Sequence, residues 1–595
     1  MFLRYTTRKK NGKEHRYYSL VENRRVASGR VVQRHALYLG EINDTQQEAW
    51  RKTIEIFEEG KTRPRTVALF PEDRIGPIQD EQIVRIRLKE LSLHRPRQWG
   101  GCWLAVALWE QLGLDQFWAQ RLPPSRKGTR WDWVLQILVI YRLLDPGSEW
   151  RLYRHWFEHS ALRDLLGVEE ELAEIHKLYE CHERLLAHKK ELFTHLSQRW
   201  KDLFNAQFEV LLYDLTSTYF ESDPPFAEGD KRRYGYSRDK RSDCVQVVVA
   251  LIVTPEGFPV AYEVLAGNTS DKTTLEDFLK KIQEQYGQAQ RIWVMDRGIP
   301  TEKTLEQMRQ TDPPVYYLVG TPRGRLTQYE QKLARLPWQV AREGVSVKLL
   351  SEGEELYVLA QSQDRVNKER AMRRSQLKRV WRRLKQLQTM KLKRDELLKK
   401  LGAALHEYPA AARFIQSFVE KDSAQLNFGL LKDKLRQARK REGRYLLRSN
   451  MTTGRSAEEL WQFYIQLTEV EAAFKNLKDD LALRPIYHQL EQRIEAHIFI
   501  SFLAYCLHVT LRRRLRDLAP GLTPRSVLEK FATIQMLDVH LPTDDHRTVI
   551  LSRYTHPESD VQLLLYRLKL ELPPQPPPKI TKPKPNGGDQ SVVKT

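Results

Sequence analysis

Two short apolar runs, each closed by an aspartate, constrain this chain more than any other feature. Val210-Leu211-Leu212-Tyr213 leads into Asp214, and Ile292-Trp293-Val294-Met295 leads into Asp296. Apolar runs of this length, rich in β-branched and aromatic residues, read as buried strands. A third acid, Glu471, lies in the helical stretch from Tyr464 to Lys478. Two strand-end carboxylates and one helix carboxylate can converge on a pair of hard divalent cations, which prefer oxygen ligands. Such a pair stabilises the attacking and leaving oxygens of an in-line phosphoryl displacement. Each acid taken alone is a weak signal, because an aspartate after a strand is more often a turn former or helix cap. Order and context give the three weight together.

The segments around the acids set the fold. Val245–Val253 and Phe258–Leu265 read as strands joined by the turn Thr254-Pro255-Glu256-Gly257. A helix is expected near Asp271–Tyr286 with Ser270 as N-cap, another after Thr301, and a further strand over Val315–Gly320. Three meandering strands followed by alternating helix and strand is the order of an RNase H-like α/β domain, with acids on its first and fourth strands. The expected fold class is therefore α/β, an RNase H-like core interrupted by a mixed β-hairpin and basic helical insertion. A small β arm and a helical region precede it.

The expected organisation runs as follows. Residues 1–44 form a β arm, with strands at Tyr17–Val21 and Val31–Gly40; being rich in Lys and Arg it either grips phosphates or is a plain solvated hairpin. Residues 45–205 read as a helical DNA-end-binding or dimerisation region, with helices around Thr45–Glu59, Cys102–Trp118, Trp131–Leu144, Trp150–Leu166 and Glu170–Asn205. The core occupies 206–325 and resumes over 441–515. Between them, 326–440 holds a hairpin (Val345–Leu350, Glu355–Ala360) and basic helices. Arg365 to Lys400 carries 15 Lys or Arg against three acids, too few for i,i+4 pairing to neutralise. Leu377, Val380, Trp381, Leu384 and Leu387 give that stretch an apolar stripe, so it is expected to pack as a helical arm facing DNA. Ser456-Ala-Glu-Glu459 has the spacing of a capping box opening the helix that bears Glu471. Residues 516–595 read as a C-terminal helical segment and a disordered proline-rich tail from Pro573.

A net charge of +21 over 595 residues, with pI near 9.6, implies a polyanionic partner bound largely through counterion release. Four scattered cysteines (Cys102, Cys181, Cys244, Cys506) with no Cys-x-x-Cys pair fit a reducing compartment and argue against a structural zinc. Cys181-His182 lacks a second pair at ligand spacing and reads as structural. The N-terminus has no signal-peptide core, and Ala496–Leu511 reads as a buried helix and not a membrane span, so a cytoplasmic protein is expected.

Helix geometry adds a test. Tyr464, Glu471 and Lys478 are spaced by seven, so each step rotates only about 20° out of register and the three share one face over about 21 Å. Tyr464 and Lys478 are thus expected to contact DNA on either side of the reacting bond. The spacing resembles the Tyr-x2-Arg-x3-Glu-x6-Lys signature of bacterial insertion-sequence transposases, the DDE group with an RNase H-like core. Tyr213–Glu221, Tyr236–Gln246, Gly267–Asp271, Met295–Gly298, Arg484–His488 and Arg493–His497 also look like blocks of that family. The family arginine position is Leu467 here, so Arg448 or Arg493 is expected to substitute unless the contact is dispensable.

That resemblance implies a cut-and-paste transposase. Asp214, Asp296 and Glu471 would be catalytic and hold two ions, Mg²⁺ or Mn²⁺. Arg297 would assist in binding DNA. The partners would be the element's terminal inverted repeats and target DNA, in a synaptic homodimer of a prokaryotic, nucleoid-associated protein. A hairpin intermediate, common in the family, needs an extruded base held by an aromatic; Trp338 is a candidate, with core packing as the alternative. Two rivals use the same residues: a metal-dependent nuclease that never joins strands, and an inactive transposase-derived DNA-binding protein.

Overall fold

Alternating apolar and basic residues at the N-terminus form three antiparallel strands, β1 (Phe2–Lys10), β2 (Lys13–Arg25) and β3 (Val31–Glu41), in that order across the sheet. The first of them was not anticipated. The computed structural model describes residues 2–10, 13–25, 31–41, 54–56, 65–67, 84–168, 172–221, 226, 228–269, 275–286, 291–420, 425–544 and 546–581. Most of the helix expected over Thr45–Glu59 lies outside the described residues. Its described part, Ile54–Ile56, is a strand (β4) paired with β5 (Arg65–Val67) and β6 (Val84–Arg85), as two β-branched residues on one face favour.

The chain divides into two units, one of Met1–Leu104, Arg151–Glu170 and Arg514–Thr595, the other of Ala105–Trp150 and Glu171–Arg513. In the first, β7 (Ser92–Gln98) pairs with strands from the far end of the chain described below. Arg97, 1% exposed, ties these segments together by ion pairs to Asp164 at 2.8 Å and Asp538 at 2.9 Å.

In the second unit a nine-stranded sheet is built on β8 (Val210–Phe220), β9 (Val245–Val253), β10 (Pro259–Ala266), β11 (Ile292–Met295) and β12 (Tyr316–Gly320). β8, β9 and β10 meander antiparallel, and β11 then β12 add in parallel on the other side of β8. This is the expected RNase H-like order. β9 is buried at every position, as a strand covered on both faces requires. The helix after β10 spans Leu275–Tyr286, while the proposed cap Ser270 and start Asp271 lie outside the described residues. Thr301 caps the helix Glu302–Gln310 through the backbone N–H of Thr304.

The sheet does not end at β12. It continues through β18 (Arg444–Ser449), then β15 (Glu355–Ser362), β14 (Val345–Glu352) and β13 (Gln339–Arg342). The hairpin expected in the insertion therefore extends the same sheet. The basic stretch folds as two helices, α1 (Gln363–Thr389) and α2 (Arg394–Glu407). Val380, Leu384 and Leu387 of α1 meet Leu397, Leu401 and Ala404 of α2 in a small core, closed by the hairpin of β16 (Ile415–Val419) and β17 (Leu426–Leu430). The charged residues of α1 lie on its other faces.

The apolar segment near residue 500 is a 28-residue helix, α3 (Glu491–Leu518), whose most apolar window is 94% buried inside the fold. Beyond it, β19 (Gln535–Pro542) pairs with β7 on one side and with β20 (Thr548–Tyr554) on the other. The tail from Pro573 departs from expectation. Gln575 exchanges hydrogen bonds with the backbone of Tyr554, and β21 (Lys579–Ile580) pairs with β20 at Val549–Ile550. Proline lacks an N–H but is compatible with an edge strand, and this tail supplies one.

One loop of the core is held by contacts that leave no space. Gln246 bridges to Arg233 by two backbone hydrogen bonds, and its side chain donates to the carbonyls of Gly267 (2.8 Å) and Tyr236 (3.1 Å). A Cβ on Gly267 would sit 1.9 Å from the Gln246 carbonyl oxygen and 2.5 Å from that of Arg233. Gly267→Ala is expected to destabilise the unit by about 1–3 kcal/mol, because backbone must shift to admit the methyl group. Thermal unfolding checks this, and an unchanged midpoint would contradict it.

Candidate active site

Strand register brings the two aspartates together. β11 runs parallel to β8 with Met295 opposite Tyr213, so the next residue on each chain is an acid, Asp296 beside Asp214. Neighbouring strands lie about 4.8 Å apart, which puts two like charges side by side. Asp214 is not at a strand end as its run suggested. β8 continues to Phe220, held by β9 as far as Val245, whereas β11 stops at Met295. Asp214 thus occupies the level at which β8 loses its parallel neighbour.

The third acid comes from above the sheet. The capping box at Ser456 and Glu459 is present and opens α4 (Ala457–Ile465), followed after Gln466 by α5 (Leu467–Lys475). α5 packs on β8 and β9, with Val470, Ala473 and Phe474 buried. Glu471 is exposed on the same helix. Glu469, two residues earlier, is instead engaged in a 2.9 Å ion pair with Arg512.

Electrostatics couple the trio. Burial pushes the Asp214 carboxyl up to about 7; the Leu215 backbone N–H and the charge of Arg238 oppose the rise, and the charges of Asp296 and Glu471 add to it. The donor set, all carboxylate oxygens, is of the type that hard divalent cations prefer.

The helix bearing Glu471 is not a single continuous α-helix. It breaks at Gln466 and ends in a π turn over Asn476–Asp480. The expected single face is therefore interrupted at both ends, and the flanking residues reach separate partners. The Tyr464 hydroxyl lies 3.4 Å from Oδ1 of Asp296, and burial and that carboxylate both raise its pKa. Gly320, at the end of β12, makes room for it: a Cβ there would lie 2.6 Å from the Tyr464 oxygen. Lys478 donates to Asp239 at 2.9 Å, and Arg484 pairs with the same oxygen.

Beside Asp296 opens a recess of about 580 Å³ lined by Arg297, Arg365, Arg444, Tyr445 and Tyr464 among others. Arg297 is exposed there. The arginines expected to replace the family residue at Leu467 are engaged elsewhere. Arg448 is 6% exposed and paired with Glu302 at 2.7 Å and with Glu355 at 2.5 Å, while Arg493 pairs with Glu183 at 2.7 Å. Trp338 is not core. It is 38% exposed, with Lys348 Nζ 4.7 Å and the Arg444 guanidinium 5.6 Å from its ring centre. Sequence reading missed Arg238, Asp239, Arg365 and Arg444. The first two lie inside the recognised block Tyr236–Gln246, which was the available signal; the other two meet the site only through folding of the insertion.

A family model for the transposase DDE domain matches residues 205–507, and one for the N-terminal domain of IS1634 family transposases matches residues 3–63. No curated protein matches the chain. Among solved structures, a cryo-EM structure of the piggyBac transposase synaptic complex with hairpin DNA is similar over 72% of this chain and 79% of that one, at 11% identity and a TM-score of 0.33.

The raised Asp214 carboxyl fixes a pH dependence. Below about pH 7 a cation must displace its proton, so Mn²⁺ affinity should fall about tenfold per pH unit there and level off above. Calorimetric titration of Mn²⁺ across the neutral range checks this, and a flat profile would contradict it.

Proposed function

This chain belongs to the DDE-domain transposases of insertion sequences, an enzyme family acting on DNA, and from that premise we propose that Asp214, Asp296 and Glu471 are its catalytic acids. The observation that carries the assignment is the parallel register of β8 and β11, which sets Asp214 beside Asp296 beneath the helix that bears Glu471. Two divalent ions, Mg²⁺ or Mn²⁺, bound by these carboxylates would activate the attacking oxygen and stabilise the leaving one.

The reaction has two steps. A water oxygen bonds to phosphorus at each end of the element as the P–O3′ bond breaks, which frees a 3′-hydroxyl. That hydroxyl then attacks a phosphate of target DNA, and the target's own 3′ oxygen leaves. The chain's side chains bind and orient. Arg297, Arg365 and Arg444 give the recess beside Asp296 the charge to hold a DNA backbone. Tyr464 braces Asp296 from the α4 side while presenting its ring to the same recess. Lys478 and Arg484 share Asp239, so a phosphate arriving there would compete with that carboxylate for both cations. Trp338, half-exposed between Lys348 and Arg444, is suited to stack an extruded base. Bringing two element ends together calls for at least two copies of the chain, and a homodimer is the simplest such assembly.

Asp214→Ala, Asp296→Ala and Glu471→Ala are each expected to lower cleavage of the element's end by more than about 10²-fold, since each removes a group that aligns the reacting atoms. Binding of end DNA should be largely retained. A pre-cleaved end incubated with target DNA separates a transposase from a nuclease: joined product is expected, and hydrolysis without joining would contradict the reading. Near-normal cleavage by any of the three variants would remove that residue from the site.

A further inference from the structure

A second cluster of metal-ligand residues, involving none of the three acids, is buried in the same unit. Glu149, His182 and His488 each offer one ligand atom, and these atoms lie within 4.8 Å of one another. His182 is fully buried, Glu149 is 6% exposed and His488 9%. Oε1 of Glu149 is 3.5 Å from Nε2 of His182, 3.3 Å from Nε2 of His488 and 4.0 Å from Nδ1 of His497. These separations exceed an ordinary hydrogen bond. The distances to His182 and His488 match instead the edge of a tetrahedron, since ligands bonded to zinc at about 2.0–2.2 Å stand about 3.3–3.6 Å apart; His497 stands farther out.

The lone pairs agree with that reading. Nδ1 of His182 lies 2.8 Å from the carbonyl oxygen of Leu178, which can only accept, so Nδ1 carries a proton and, in the neutral imidazole, Nε2 is left with the lone pair. A ligating histidine is ordinarily held by such a bond from its other nitrogen. Nε2 of His182 has no hydrogen-bond partner although it is buried, and neither has either nitrogen of His497. An unpartnered buried polar atom is costly, and three of them around one carboxylate call for a common explanation.

We propose that Glu149, His182 and His488 form a structural site for one zinc ion, with a water molecule as the fourth ligand, held by a nitrogen of His497 that otherwise lacks a hydrogen-bond partner. The scattered cysteines exclude a thiolate zinc knuckle but not an imidazole–carboxylate site. The ligands come from the segment after Trp131–Leu144, the helix Ile175–Leu185, the loop before α3, and α3 itself. A bound ion would close loops of tens to hundreds of residues, where a cross-link constrains the unfolded chain most. It would also fix the connection between α5, which carries Glu471, and α3. Arg142, buried and close enough to feel the Glu149 charge, is the group that opposes a dication. The rival account is a metal-free cluster in which Arg142 and the imidazoles balance Glu149.

The full-length protein, stripped with a chelator, is titrated with Zn²⁺ against a chromogenic competitor. One tight equivalent is expected, retained in the Asp214→Asn/Asp296→Asn/Glu471→Gln variant and weakened at least about 100-fold in His182→Gln/His488→Gln. Zinc should raise the thermal midpoint of the wild type and not of the histidine variant. No tight equivalent in the wild type, or equal affinity in the histidine variant, would overturn the proposal. Should that variant not fold, Co²⁺ bound to the wild type decides. The intense absorption of four-coordinate cobalt supports the site, and a weak octahedral spectrum refutes it.

Discussion

Everything at the proposed catalytic centre depends on one strand pairing. β11 joins β8 in parallel with Met295 opposite Tyr213, and this register alone makes Asp214 and Asp296 neighbours. A slip of one residue would send one carboxylate to the opposite face of the sheet. The register is secured by the burial of every residue of β11, and by β9 holding β8 in place from its other side. Burial is the main cause of the upward pull on the Asp214 carboxyl, and the neighbouring charges of Asp296 and Glu471 add to it. Under the proposed function, bound cations would relieve this crowding of carboxylates.

Much of this was legible in the amino-acid order. The runs at 210–213 and 292–295 identified their strands, and the meander-then-alternate order gave the topology of the core. The capping box at Ser456-Ala-Glu-Glu459 marked the start of the helix leading to Glu471. What failed had physical causes. Asp214 looked like a strand end because the apolar run stops there, but Leu-Thr-Ser-Thr-Tyr-Phe after it remains paired with β9. A seven-residue spacing implied one helical face from Tyr464 to Lys478. The break at Gln466 and the π turn over Asn476–Asp480 are local departures that periodicity does not encode. The proline-rich tail read as disordered by composition, yet edge pairing with β20 orders it up to Thr581.

The insertion shows the limit of reading charge as a surface. Fifteen cations in Arg365–Lys400 suggested an arm, and the helical pair does expose most of them. The insertion as a whole also supplies β13, β14 and β15 to the same sheet as the aspartates and brings Arg365 to the recess beside Asp296, where it meets Arg444 of β18. Sequence distance hid this, because those residues meet the site only once β18 bridges β12 to β15. Packing between helices and a loop far apart in the chain likewise gathered Glu149, His182, His488 and His497, none of which had ligand spacing along the chain.

The central claim is that three acids from distant parts of the chain share bound cations. Anomalous scattering from crystals of the protein soaked in Mn²⁺ tests it most directly. The account predicts density about 2.1 Å from carboxylate oxygens of both Asp214 and Asp296, with Glu471 within reach of the same ions. Manganese bound elsewhere while these three carboxylates remain without metal would contradict it.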